Sequence, residues 1–129
     1  MQYALLIYSA EDAWAALTED ERNGLHAEYG ALTQELQSAG VMVSGAPLEA
    51  IGTATTVRAR GGETLTTDGP FAETKEQLGG FYIVDVESLD EALEWAAKVP
   101  SVRHGSIEVR PVAQMTMDAV AAASAEATA

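Results

Sequence analysis

The chain has 129 residues, 47% of them apolar although 24 of these are alanine, and 20 Asp and Glu against 7 Lys and Arg give a formal charge of −13. That length suits one domain with one ordinary core, and the absence of cysteine excludes disulfides, thiolate nucleophiles and Cys-ligated metals, while two histidines leave little for a His-rich metal site. The acidity opposes binding to phosphate backbones and anionic lipid, no apolar run approaches a membrane span, and no basic leader opens the chain, so a soluble cytoplasmic domain without nucleic-acid or membrane partners is expected.

Met1 to Tyr8 is a short apolar and aromatic run that polar residues end at once, which predicts a buried strand. Glu11 to Leu17 reads as a surface loop or one helical turn. Thr18 and Glu21 form a capping box, and Leu25, Tyr29, Leu32 and Leu36 draw one apolar stripe, predicting a helix of about 20 residues that ends at Gly40. Val41–Ser44 reads as a second strand. Thr53–Arg60 and Glu63–Thr67 flank Gly61-Gly62, a two-residue hairpin signal. Asp68-Gly69-Pro70-Phe71 stops the returning strand, and Ala72 to Gly79 follows as a polar loop or short helical turn.

Gly80–Val86 is the clearest strand. Ser88 and Glu91 supply a second capping box, for a helix that turns Leu89, Ala92, Leu93 and Ala96 inward and stops before Pro100. Ser106–Val112 is the last strand. Residues 113–129, with eight alanines, read as a disordered tail or a frayed helix outside a domain spanning 1–112. The order strand-helix-strand, hairpin, strand-helix-strand is a duplicated βαβ unit, which predicts an antiparallel sheet with both helices on one face. In the first strand Ala4, Leu6 and Tyr8 alternate with Tyr3, Leu5 and Ile7, and later Phe81 and Ile83 alternate with Tyr82, Val84 and Val86. Both faces of the sheet are thus apolar, and a homodimer covering the second one is expected.

The stretch DGPFAETKE gathers Asp68, Glu73, Lys75 and Glu76 on a turn that Phe71, read as a buried-type residue, would pin. It is either a built site or turn chemistry followed by solvated charge. Glu108 and Arg110 share one face of the last strand by period two, as a structural or a ligand-facing ion pair. His26, beside the helix stripe, is a candidate general base or a hydrogen-bonded boundary residue; His104 reads as surface, and Trp14 and Trp95 as packing. No dinucleotide, P-loop, serine-hydrolase or zinc-protease motif occurs, so no cofactor is expected and no metal site.

The DGPFAETKE stretch, the Gly79-Gly80-Phe81-Tyr82 step, the Asp90–Ala96 helix, Pro100 and the terminal EVRPV together resemble the YCII-related family in its DGPF-motif branch, over nearly all of residues 1–112. The resemblance implies a dimeric α+β barrel of ferredoxin-like halves and no established activity. It also implies a pocket between helix and sheet, where a histidine and an aspartate are suspected of acid–base work, and genes that lie beside those of extracytoplasmic-function sigma factors. On this footing one expectation is a binder of a small polar or anionic molecule, or a cofactor-independent enzyme. Asp68 and His26 are then the acid–base candidates, Arg58, Lys75 and Arg110 anion holders, Phe71 and Tyr82 pocket walls, and Glu73, Glu76 and Glu108 further ligand contacts. The alternative is an acidic regulatory partner of a sigma factor or another basic protein. Five of the seven cations, Arg58, Arg60, Lys75, Arg103 and Arg110, fall in the hairpin, the DGPF loop and the last-strand region, which favours an anionic ligand.

Overall fold

In the computed structural model, which describes residues 1–115 and 117–128, the apolar N-terminal run forms β1 (Gln2–Ser9), the centre of the sheet. It pairs antiparallel with β5 (Gln77–Asp85) on one side and β6 (Ser106–Pro111) on the other, and β2 (Met42–Pro47) lies outside β5. The order β2-β5-β1-β6 is that of a ferredoxin-like α+β fold, with one core-packing helix in each crossover. Among the described residues no helix is long and apolar enough to cross a membrane.

The first crossover helix, following a short α1 (Glu11–Ala15), is α2 (Glu19–Ser38). It begins at the capping box: the Glu21 backbone N–H donates to Thr18 Oγ1 at 3.1 Å and the Thr18 N–H to Glu21 Oε1 at 2.9 Å. It ends where the Gly40 and Val41 amides donate to the carbonyls of Gln37 and Leu36, the reciprocal pattern of a Schellman cap. The stripe lands as expected, with Leu25, Leu32 and Leu36 buried and Tyr29 half-buried.

The second crossover helix, α3 (Leu89–Ala97), has Ser88 as its cap, but the Glu91 carboxylate reaches back to the Glu87 N–H rather than to that of Ser88. Its packed face is Ala92 and Ala96 with Trp95 beside them, and Leu89 and Leu93 are exposed, against the sequence expectation. Two alanines let α3 lie close to the sheet, and that contact rotates the apolar stripe away from Leu89 and Leu93 toward Trp95 and Val99. Under both helices Tyr3, Leu5, Ile7, Tyr82, Val84 and Val86 form the core, joined by Ile107 and Val109 from the edge strand.

Between the halves, β3 (Thr55–Arg60) and β4 (Glu63–Asp68) form a separate two-stranded ladder. Its turn is Gly61-Gly62 at φ 58° and 83°, the left-handed pair that a two-residue hairpin loop requires. No residue of either strand is buried. The alanine-rich C-terminal stretch contains α4 (Met117–Thr128), with exposed side chains through Ala127; of the tail, Thr116 and Ala129 lie outside the described residues.

Candidate functional site

Pairing in the hairpin decides which side chains stand together. Thr56 faces Thr67, Arg58 faces Leu65 and Arg60 faces Glu63, so alternation puts these on one surface of the ladder. Pro70 and Phe71 complete a cleft of about 290 Å³ over that surface, with Thr56, Arg58, Arg60, Leu65 and Thr67 as its other lining residues. Asp68 pairs with Thr55 and falls on the opposite surface, with Val57 and Thr66. The expected combination of an Asp68 acid–base group with an Arg58 anion holder is therefore split across the two sides of one ribbon.

The DGPF turn is held onto the hairpin through main-chain atoms. The Gly69 N–H donates to the Ala54 carbonyl at 2.7 Å, Thr56 Oγ1 donates to the Gly69 carbonyl at 2.7 Å, and Arg58 Nη2 donates to the Phe71 carbonyl at 2.7 Å. The Phe71 ring does not pin the loop from a buried position: it is 75% exposed. Its backbone carbonyl, fixed by Arg58, is the anchor instead.

The far end of the same stretch reaches the sheet. Ser106 Oγ donates to Glu76 Oε1 at 2.8 Å, Gln77 donates to the Thr74 carbonyl, and Thr74 donates to the Glu76 carbonyl. Ser106 is the ladder partner of Tyr8, whose hydroxyl lies 3.5 Å from Glu108 Oε1, and Glu108 Oε2 accepts from Arg110 at 3.0 Å. Glu108 stands opposite Leu6 and Arg110 opposite Ala4, so the pair occupies the sheet face away from the helices, as the period-two reading expects. There the hydrogen bond from Arg110 to Glu108 holds the guanidinium charged and raises its pKa.

The remaining candidates stand apart. Tyr82 is buried under α2, its hydroxyl 2.9 Å from Thr33 Oγ1, and so belongs to the core rather than to a wall beside Phe71. His26 is exposed on α2, where its ring meets Trp14 of α1 at a centroid distance of 5.3 Å. Glu73 and Lys75 are exposed, and no hydrogen bond or ion pair joins Asp68 to His26 among the described residues. No group of three or more His, Asp and Glu side chains is placed to hold a metal ion among them.

Cation pairing sorts the charges. Lys98 pairs with Glu35 at 2.6 Å, Arg103 with Glu28, and Arg110 with Glu108. The hydrogen bond from Arg103 draws the Glu28 carboxyl below its usual range and raises Arg103 in turn. Arg22 closes on the Leu17 carbonyl. Arg58, Arg60 and Lys75 have no carboxylate within ion-pair distance among the described residues, and all three lie on the hairpin or its loop. Arg103 thus leaves the cationic group that the sequence suggested, because α2 supplies it with Glu28. Arg60, not among the expected ligand contacts, enters the cleft, and the hairpin register counted outward from Gly61-Gly62 was the signal for it.

A family model described as the YCII-related domain matches residues 1–116. The chain belongs to the YCII-related family. An uncharacterised protein of Rhizobium meliloti (strain 1021) is 42% identical to this YCII-related protein over 115 residues, which cover 88% of the chain and 93% of the relative.

Proposed function

We propose that this YCII-related protein binds a small anionic molecule in the cleft between the β3–β4 hairpin and the DGPF loop. The observation that carries the reading is the pairing pattern: in a chain of charge −13, Arg58 and Arg60 line one cleft and, although Glu63 faces Arg60 across the ladder, neither has a carboxylate within ion-pair distance among the described residues. Guanidiniums outside any ion pair in an acidic protein are a ready complement for an anion, and their planar forks add orientation to charge. Among the described residues the cleft is lined by Thr56, Arg58, Arg60, Leu65, Thr67, Pro70 and Phe71, a set suited to holding a ligand, so the reading is one of binding. A thermal-shift screen of small metabolites tests it. Anionic compounds are expected to raise the melting temperature, and the Arg58→Gln, Arg60→Gln double variant to abolish that rise. A rise that survives the double variant, or one confined to neutral and cationic compounds, refutes it.

The same reading takes the working unit as a homodimer. Leu6, Phe81 and Ile83 are half-buried apolar residues on the sheet face away from the helices, and Leu78 beside them is 38% exposed. A second copy of the sheet laid on this face would remove that area from water. Sedimentation at micromolar concentration should give twice the chain mass, and Ile83→Glu should halve it. A single-chain mass for the unmodified protein would contradict the dimer.

A further inference from the structure

We infer that the anion taken by the hairpin cleft is an aromatic carboxylate with one ring; this rests on the anion-binding reading above and names its ligand class. Two observations select it. The first is the donor supply. With a two-residue turn the opposed pairs Arg60–Glu63, Arg58–Leu65 and Thr56–Thr67 exchange their amides within the β3–β4 ladder, Thr56 Oγ1 is spent on the Gly69 carbonyl, and Arg58 already gives Nη2 to the Phe71 carbonyl. What remains for an anion is the rest of the Arg58 fork, the Thr67 hydroxyl, and Arg60, whose Nη1 is turned back to the Ala59 carbonyl. Such a supply suits the two coplanar oxygens of a carboxylate. A phosphate is usually met by a cluster of backbone amides or a helix N-terminus, and with the ladder amides spent the cleft lining offers no such cluster.

The second observation is apolar. Phe71 is 75% exposed and Leu65 is 45% exposed, both line the cleft, and Leu65 stands directly opposite Arg58 in the ladder. The Phe71 ring makes no aromatic or cation–π contact among the described residues, while Arg58 fixes its main chain from below. A flat ring carried by the carboxylate can lie against Phe71 and Leu65 while its charge sits on the guanidiniums. Aromatic faces and guanidinium planes both favour such stacking. At about 290 Å³ the cleft falls at the small end of ligand pockets, a size for one ring rather than a fused system.

The test is calorimetric titration of the full chain with three probes: benzoate, acetate and inorganic phosphate. Benzoate is expected to bind roughly tenfold or more tighter than acetate or phosphate, the margin one stacked ring supplies. Phe71→Ala should bring benzoate down to the acetate level, and Phe71→Trp should restore the preference. Since Phe71 is exposed, its replacement should leave the fold intact, which circular dichroism checks. If acetate or phosphate binds through Arg58 and Arg60 as tightly as benzoate, the aromatic assignment is wrong while the anion reading stands. If no anion binds here or in the thermal screen, the anion reading itself fails. Should Phe71→Ala halve the sedimentation mass and leave benzoate affinity unchanged, Phe71 serves subunit contact and the assignment is overturned.

Discussion

Ser106 Oγ donates to Glu76 Oε1 at 2.8 Å, and that bond ties the end of the DGPF stretch to the first residue of β6. Two segments that carry chemistry in the sequence are thereby joined across thirty positions. The opposite end of the stretch is tied to the hairpin by Arg58 and Thr56, so residues 72–75 form a strap between two anchored ends. Ser106→Ala should release one end only. Because the bond is exposed, the expected loss of global stability is below about 1 kcal/mol. Amide exchange at residues 72–76 should quicken while exchange in β1 and β5 stays unchanged. Faster exchange throughout the sheet would show that the bond supports the fold rather than the strap.

Thr18 and Glu21 cap α2 reciprocally, and Thr18→Ala should cost about 1 kcal/mol in chemical denaturation. A pH dependence accompanies it. The bond from the Thr18 amide, seconded by the Thr18 hydroxyl, holds the Glu21 carboxyl below its ordinary value of 4.5. A carboxyl depressed in the folded state contributes stability above its unfolded pKa and loses it as pH falls through the folded one. Stability should therefore decline below pH 4.5, and a Glu21→Gln variant, which keeps the amide contact without the charge, should show a shallower decline. An unchanged acid limb would mean that Glu21 titrates as a free side chain.

Glycines in this chain divide by what surrounds them, and substitution by alanine should give opposite signs. A Cβ at Gly105 would lie 2.1 Å from the Tyr8 carbonyl oxygen, where β6 begins against β1. Backbone must move to admit it, so Gly105→Ala should destabilise by about 3 kcal/mol or more. Gly24 and Gly30 lie inside α2 with nothing within 4 Å of the added carbon. There the helical preference of alanine governs, and each replacement should stabilise by about 0.5–1 kcal/mol. Melting curves of the three variants decide it; a neutral Gly105→Ala would mean that β6 shifts freely against β1.

Much of this architecture was legible because its signals are local. The capping box at Thr18, the stripe through Leu36 and the Gly61-Gly62 turn each fix geometry over a few residues, and each appears in the structure. The faces of β1 and β5 followed from period two, with Leu5 and Val84 inward and Leu6 and Ile83 outward. What was not legible depends on how elements meet. Nothing local told that Ala92 and Ala96 would bring α3 close enough to leave Leu93 in water, nor that Glu28 would claim Arg103. The placement of Asp68 is a different case. Counting outward from the turn pairs Arg60 with Glu63 and Thr55 with Asp68, so its separation from Arg58 was present in the register.

Tyr82 and Asp68 provide the last contrast, because both were candidates for the site and the structure gives each a different surrounding. The Tyr82 hydroxyl meets Thr33 Oγ1 beneath α2, and its ring is 7% exposed. Tyr82→Phe removes one hydrogen bond and leaves Thr33 its bond to the Tyr29 carbonyl, so the expected cost is about 1 kcal/mol. Anion binding should be unaffected, since that hydroxyl lies in the core and Tyr82 is not among the residues that line the cleft. Asp68→Asn should change neither: its side chain is exposed, makes no hydrogen bond among the described residues, and points to the hairpin surface opposite the cleft. Denaturation curves and titrations with benzoate measure both. If Asp68→Asn weakens benzoate while Arg58→Gln does not, the binding surface is the opposite face of the hairpin, with Thr55, Val57 and Thr66, and the cleft under Phe71 is not the site.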